Sequence, residues 1–127
     1  MSTMSESPSG STMLDQPTLD RLRELDPGGT ARLLPRVVAA YETSLERMLP
    51  DLAAARSGEA LNLNVVRHVS HTLKSSSASL GALHLASLCA EIETKARNGE
   101  PEGLDALLDN MLTEINQVRL ALKALLN

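Results

Sequence analysis

From Leu104 to Leu125 the apolar residues Leu104, Leu108, Met111, Ile115, Val118, Leu122 and Leu125 recur at spacings that alternate four and three. That alternation draws one narrow stripe down an α-helix, the seam by which a helix packs on other helices in a bundle. The rest of the chain supplies partners of the same kind. It has one Tyr, no Phe and no Trp, so its core must be built from Leu, Ala, Val and Met. This composition favours helix on helix over a sheet. At 127 residues the chain is long enough for one domain with a real core.

Taken in order, residues 1–13 are rich in Ser, Gly and Met without periodicity, and read as a disordered tail or linker. The folded domain is expected over 14–127. Asp15 and Pro17 signal the start of a short helix carrying Leu19, Leu22 and Leu25, which Pro27-Gly28-Gly29 ends. A second helix is expected from near Thr30, as N-cap, through Leu34, Val37/Val38, Tyr41, Leu45, Met48 and Leu52. Pro35 leaves its first residue open. Pro50 is expected to kink or end it, since proline lacks the N–H that bonds back one turn, with Ala53–Arg56 as an alternative continuation. A third helix is expected over about Asn62–Leu80, stopped by Gly81, and a fourth over about Leu83–Asn98, closed by Gly99 and Pro101. The last runs from about Glu102 to Leu126. Short connections make neighbours antiparallel. The expected fold is therefore all-α, an antiparallel up-down-up-down four-helix bundle with an additional short N-terminal helix across one end.

Inside the third helix, Val66, Val69, Leu73, Ser76/Ser77 and Leu80 form the core-facing stripe. Stepping ~100° per residue places His71 roughly 165° from the middle of that stripe, on the solvent side. Lys74 and Ser75 follow three and four residues on, one turn along, within reach of the imidazole. The stretch His71–Ala82, HTLKSSSASLGA, resembles the signature of histidine-containing phosphotransfer (HPt) domains, His-x-Leu-Lys-Gly-Ser-Ser-x-x-Leu-Gly-Ala. The run Leu85–Gly99, with Cys89, Ile92-Glu93, Ala96-Arg97 and Gly99, is similar to that family's next helix, and the looser helical pattern extends the likeness over most of the chain. One residue departs: the family's glycine four positions after the histidine is Ser75 here.

The resemblance implies a phosphorelay intermediate. His71 accepts a phosphoryl group from an aspartyl-phosphate receiver domain and passes it to another receiver. Imidazole suits this because it titrates near ~6.5, so the neutral nucleophile is populated at cytoplasmic pH. Transfer asks little more of the protein than in-line positioning and charge stabilisation. The resemblance gives Lys74 the charge-stabilising role, lets Glu93 hold one ring nitrogen, and places Arg97 near the docking face. The departure at Ser75 leaves a small residue beside the site, suited to tuning docking or donating to phosphoryl oxygens. For Glu93 and Arg97 an ordinary solvated helix face is the competing reading. His68, three residues before His71, is a rival acceptor with poorer spacing, and His84 reads as a surface or capping residue.

Other classes are set aside on physical grounds. A formal net charge of −4 offers no basic stripe for nucleic acid. There is no run of 18 apolar residues for a membrane span and no secretion signal, so the expected location is cytoplasmic. The single cysteine, Cys89, excludes an intrachain disulfide and reads as a buried apolar side chain. Neither a glycine-rich ATP loop nor the aspartate cluster of a receiver is recognisable, so the chain is expected to be a carrier and not a kinase. No cofactor is expected on this chain, with Mg²⁺ coming from the receiver. The expected partners are receiver domains of a hybrid sensor kinase or response regulator, met by a monomer. Two further readings are a binding-only helical adaptor and a metalloprotein using His68-x-x-His71. The second lacks the inward Glu-x-x-His pairs of bundle metal sites.

Overall fold

The computed structural model describes residues 13–126, and among these every regular element is a helix. They are α1 (Gln16–Glu24), α2 (Leu33–Arg56), α3 (Leu63–Ser79), α4 (Leu83–Arg97) and α5 (Leu104–Leu126). The tail expected over 1–13 lies outside the described residues except for Met13, which packs half-buried against the core. Helices α2 to α5 form the bundle, each packed on its chain neighbour, with α5 returning to α2. The pair α3–α4 is the most extensive, and it carries the histidine.

The seam of α5 is buried as its spacing requires: Leu104, Leu108, Met111, Ile115, Val118 and Leu122 all lie in the core, and Leu125 packs at its edge. They meet Leu45 and Leu52 of α2, Val66, Val69 and Leu73 of α3, and Leu85, Cys89 and Ile92 of α4. Of the two serines on the α3 stripe, Ser77 is the buried one. Its hydroxyl pairs with the Tyr41 hydroxyl of α2 at 2.9 Å, so both polar groups enter the core already bonded. Burial pushes the Tyr41 phenol up to about 12, which keeps it neutral.

Asp15 caps α1, accepting from the Thr18 amide at 3.2 Å and the Thr18 hydroxyl at 2.6 Å, with Pro17 in the first turn. The start of α2 differs from expectation. Thr30 does not cap it. Arg32 stands at the N-cap in a left-handed conformation (φ 55°) without a side-chain cap bond. Asp26 substitutes from the preceding loop: its carboxylate accepts from the Ala31 amide at 3.2 Å and the Leu33 amide at 3.1 Å. A carboxylate there complements both the unpaired amides and the positive helix end. Pro35 falls in the first turn, where no intrahelical N–H is needed. Pro50 does not end α2, which continues to Arg56. Pro50 is exposed and so is Glu46, whose carbonyl loses its helical donor, so water can replace the missing bond. Buried Met48, Leu52 and Ala55 hold the segments on either side of the proline to the same core.

At the turn after α3, Gly81 adopts φ +84° and its carbonyl accepts from the Asp15 amide at 2.7 Å. This bond lays α1 against the α3–α4 corner. At the opposite end Arg56 ties α2 to the start of α5 through Asp105 (3.1 Å) and Asp109 (2.9 Å).

Candidate functional site

Helix α3 presents His71 on its outer face, where the imidazole remains 63% exposed. Beside it α4 contributes Glu93, whose side chain is only 9% exposed. A carboxylate so deep between helices needs partners, and it has three. His71 Nδ1 lies 2.8 Å from Glu93 Oε2, Lys74 Nζ lies 2.7 Å from Oε1, and Arg97 Nη1 approaches Oε2 at 3.7 Å. The hydrogen bond from Lys74, followed by that from His71, holds the Glu93 carboxyl below the usual carboxylate range against the opposing effect of burial. The group is therefore ionised at neutral pH.

An ionised carboxylate only accepts, so the short contact requires the hydrogen on His71 Nδ1. In the neutral ring the lone pair then belongs to Nε2, on the exposed side. Glu93 thus fixes both the tautomer and the orientation of the imidazole. It is neither an ordinary solvated glutamate nor a distant neighbour.

Lys74 is close to the histidine, as its spacing predicts, but its ammonium sits on Glu93. The buried carboxylate is the partner that most needs a counter-charge. Ser75 is exposed on the same face of α3 as His71. The hydroxyls of Ser76 and Ser79 turn back onto the helix backbone, bonding Thr72 O (3.2 Å) and Ser75 O (3.0 Å), and so take no part in the polar cluster. His68 is exposed but borders a different groove, with Asp51 and Asn64, away from Lys74 and Glu93. His84 does not cap α4; its Nδ1 contacts Glu114 Oε2 of α5 at 3.0 Å. Among the described residues no three His, Cys, Asp or Glu side chains gather to hold a metal ion. No helix among the described residues is long and apolar enough to cross a membrane.

Sequence reasoning let Glu93 hold the His71 ring but missed that Lys74 and Arg97 meet the same carboxylate. The spacing of Glu93 and Arg97, one turn apart, signals their pairing, but the reach of Lys74 across the helix interface depends on how α3 and α4 are rotated.

A family model described as Hpt domain matches residues 36–126. Among solved structures, histidine-containing phosphotransfer protein B (HptB) from Pseudomonas aeruginosa PAO1 is 31% identical, with 90% of this chain and 94% of that one covered and a TM-score of 0.69. The histidine-containing phosphotransfer protein ZmHP2 from maize is 25% identical over 91% of this chain and 84% of its own, with a TM-score of 0.76. A putative rice protein of the same description shares the fold at 22% identity, covering 91% and 83% of the two chains, with a TM-score of 0.75. No curated protein matches. With the family model spanning most of its length and a relative at this identity, the chain belongs to the Hpt domain family.

Proposed function

We propose that this protein carries phosphoryl groups in a phosphorelay and that His71 is the residue that holds them. The observation that supports it most is the 2.8 Å contact from Nδ1 to a buried, ionised Glu93, which leaves Nε2 as the nucleophile on an exposed face. Nε2 attacks the phosphorus of a receiver's aspartyl phosphate in line. The N–P bond forms as the P–O bond breaks, and the aspartate carboxylate leaves with the electron pair. The ring becomes positively charged while keeping its Nδ1 proton, which Glu93 accepts as a charge-assisted hydrogen bond. Lys74 and Arg97, both close to Glu93, are placed to offset the added phosphoryl charge, Lys74 by turning its ammonium from Glu93 to a phosphoryl oxygen. Return transfer to a second receiver reverses these steps.

In this reading the chain is a carrier without kinase activity of its own, and Mg²⁺ belongs to the receiver. Its partners are receiver domains of a hybrid sensor kinase or a response regulator, which it meets as a monomer in the cytoplasm. Ser75 tunes the approach of the receiver. Replacing it with glycine alters transfer rate or receiver affinity in that case, and leaves both unchanged if the residue has no such role.

Incubation with a phosphorylated receiver domain tests the assignment. The expected result is acid-labile label on the wild type and none on His71→Ala; equal labelling of both contradicts it. A binding-only adaptor predicts no label on either.

A further inference from the structure

We propose that the groove between α2 and α5 is a docking site for an acidic amphipathic helix of a partner protein, one that leaves the His71 face free. Such a site goes beyond phosphotransfer and needs none of its chemistry. Each bundle helix packs on its chain neighbours and α5 returns to α2, so the four stand at the corners of a square. The α2–α5 side lies opposite the α3–α4 side that presents His71. Its two helices also meet least among the neighbouring pairs, so the bundle is open there. Val38 of α2 with Leu120 and Leu126 of α5 make the groove apolar. Leu120 is 64% exposed and Leu126 42%, so two of the four large aliphatic side chains left in water among the described residues gather at this place. An apolar patch rimmed by polar groups marks an interaction site.

The charges on the walls identify the occupant. Arg119 reaches across from α5 to Glu42 of α2, with Nη2 at 2.9 Å from Oε1 and Nε at 3.3 Å from Oε2. This fork holds the two walls at a set spacing, so the groove exists before anything enters it. It takes two guanidinium N–H groups and leaves the others for a second carboxylate. Lys123, one turn further along α5, has no ion-pair partner among the described residues. The groove thus sets two cations beside an apolar surface, against one acid that is already paired, in a chain of formal net charge −4. Acids one turn apart on a visiting helix match Arg119 and Lys123, and its leucines match Leu120 and Leu126. From Asn116 to Leu126 the α5 wall runs ~15 Å, the length of about three helical turns. A second copy of this chain fits less well. Both copies carry the same net charge, and a two-fold contact turns Lys123 toward its own counterpart.

The test is nitrogen-15 NMR titration of the full chain with an amphipathic peptide of about 14 residues, long enough to form a helix, that carries leucines at three-four spacing flanked by glutamates. A comparison peptide has lysines in place of the glutamates. The glutamate peptide is expected to bind about tenfold more tightly, shifting amides of α2 and α5 around Val38 and Leu120 and leaving those around His71 unmoved. Leu120→Ser should weaken it by about tenfold, and Lys123→Glu should reverse the preference between the two peptides. Both side chains are exposed, and a thermal melt of each variant checks that the fold is kept. No binding of the glutamate peptide, or equal affinity for the two, overturns the proposal. So do binding that neither substitution alters and shifts centred on His71. Sedimentation of the chain alone decides the other occupant. A monomer is expected; a dimer that Leu120→Ser dissolves gives this face to a second copy and overturns the proposal as well.

Discussion

Glu93 is where the side chains of the candidate site converge, because one buried carboxylate meets the His71 imidazole, the Lys74 ammonium and, more distantly, the Arg97 guanidinium. Its carboxyl is held below the usual range, chiefly by Lys74. A carboxyl whose folded pKa is depressed adds stability above the unfolded value, near ~4.3, and loses it as pH falls through the folded value. Glu93→Gln removes the charge while keeping the shape. It is expected to destabilise the protein by about 1–2 kcal/mol at neutral pH. That difference should begin to shrink once pH falls below the unfolded value, near ~4.3, and be lost as pH passes through the lowered folded value. Urea unfolding of both proteins at several pH values measures it. A difference that persists unchanged at the acid end assigns the effect to packing and not to charge.

The helices are held at their corners by backbone geometry as much as by their apolar faces. Gly81 is the sharpest case: φ is +84°, and a Cβ there would stand 2.9 Å from the Asp15 amide nitrogen. Gly81→Ala should therefore cost about 1–3 kcal/mol, by strain in the left-handed conformation and by pushing α1 off the corner. Hydrogen exchange should show α1 losing protection before α3 and α4; equal protection in both proteins contradicts the clamp. Much of this architecture is legible in the chain itself. The four-three seam of α5, the stripe of α3 and the Gly81 stop follow from local periodicity and from backbone conformations only glycine adopts easily. What escapes it is non-local. Asp26 replaces Thr30 at the start of α2 because a loop folds back, Pro50 is tolerated because its side of the helix faces water, and Lys74 finds Glu93 only once two helices are packed. Periodicity along one helix carries no information about its rotation against another.

On the scale of the whole molecule, a close-packed apolar interior gives α3 a fixed platform that holds His71 at the surface. The lone cysteine reports on that interior. Cys89 is fully buried beside the Met111 sulfur, and burial pushes its thiol up to about 12. A thiol reagent at neutral pH should therefore leave it untouched until the bundle opens, with modification following unfolding; rapid labelling of the native protein contradicts a packed core at α4. The exposed imidazole and the carboxylate that holds it both belong to the α3–α4 pair, the most closely packed in the bundle. The most direct measurement is nitrogen-15 and phosphorus NMR of the phosphorylated protein with labelled histidine. The account predicts a single N–P linkage at Nε2 of His71 with the proton retained on Nδ1. A phosphoryl group on Nδ1 of His71, or on His68 or His84, contradicts it.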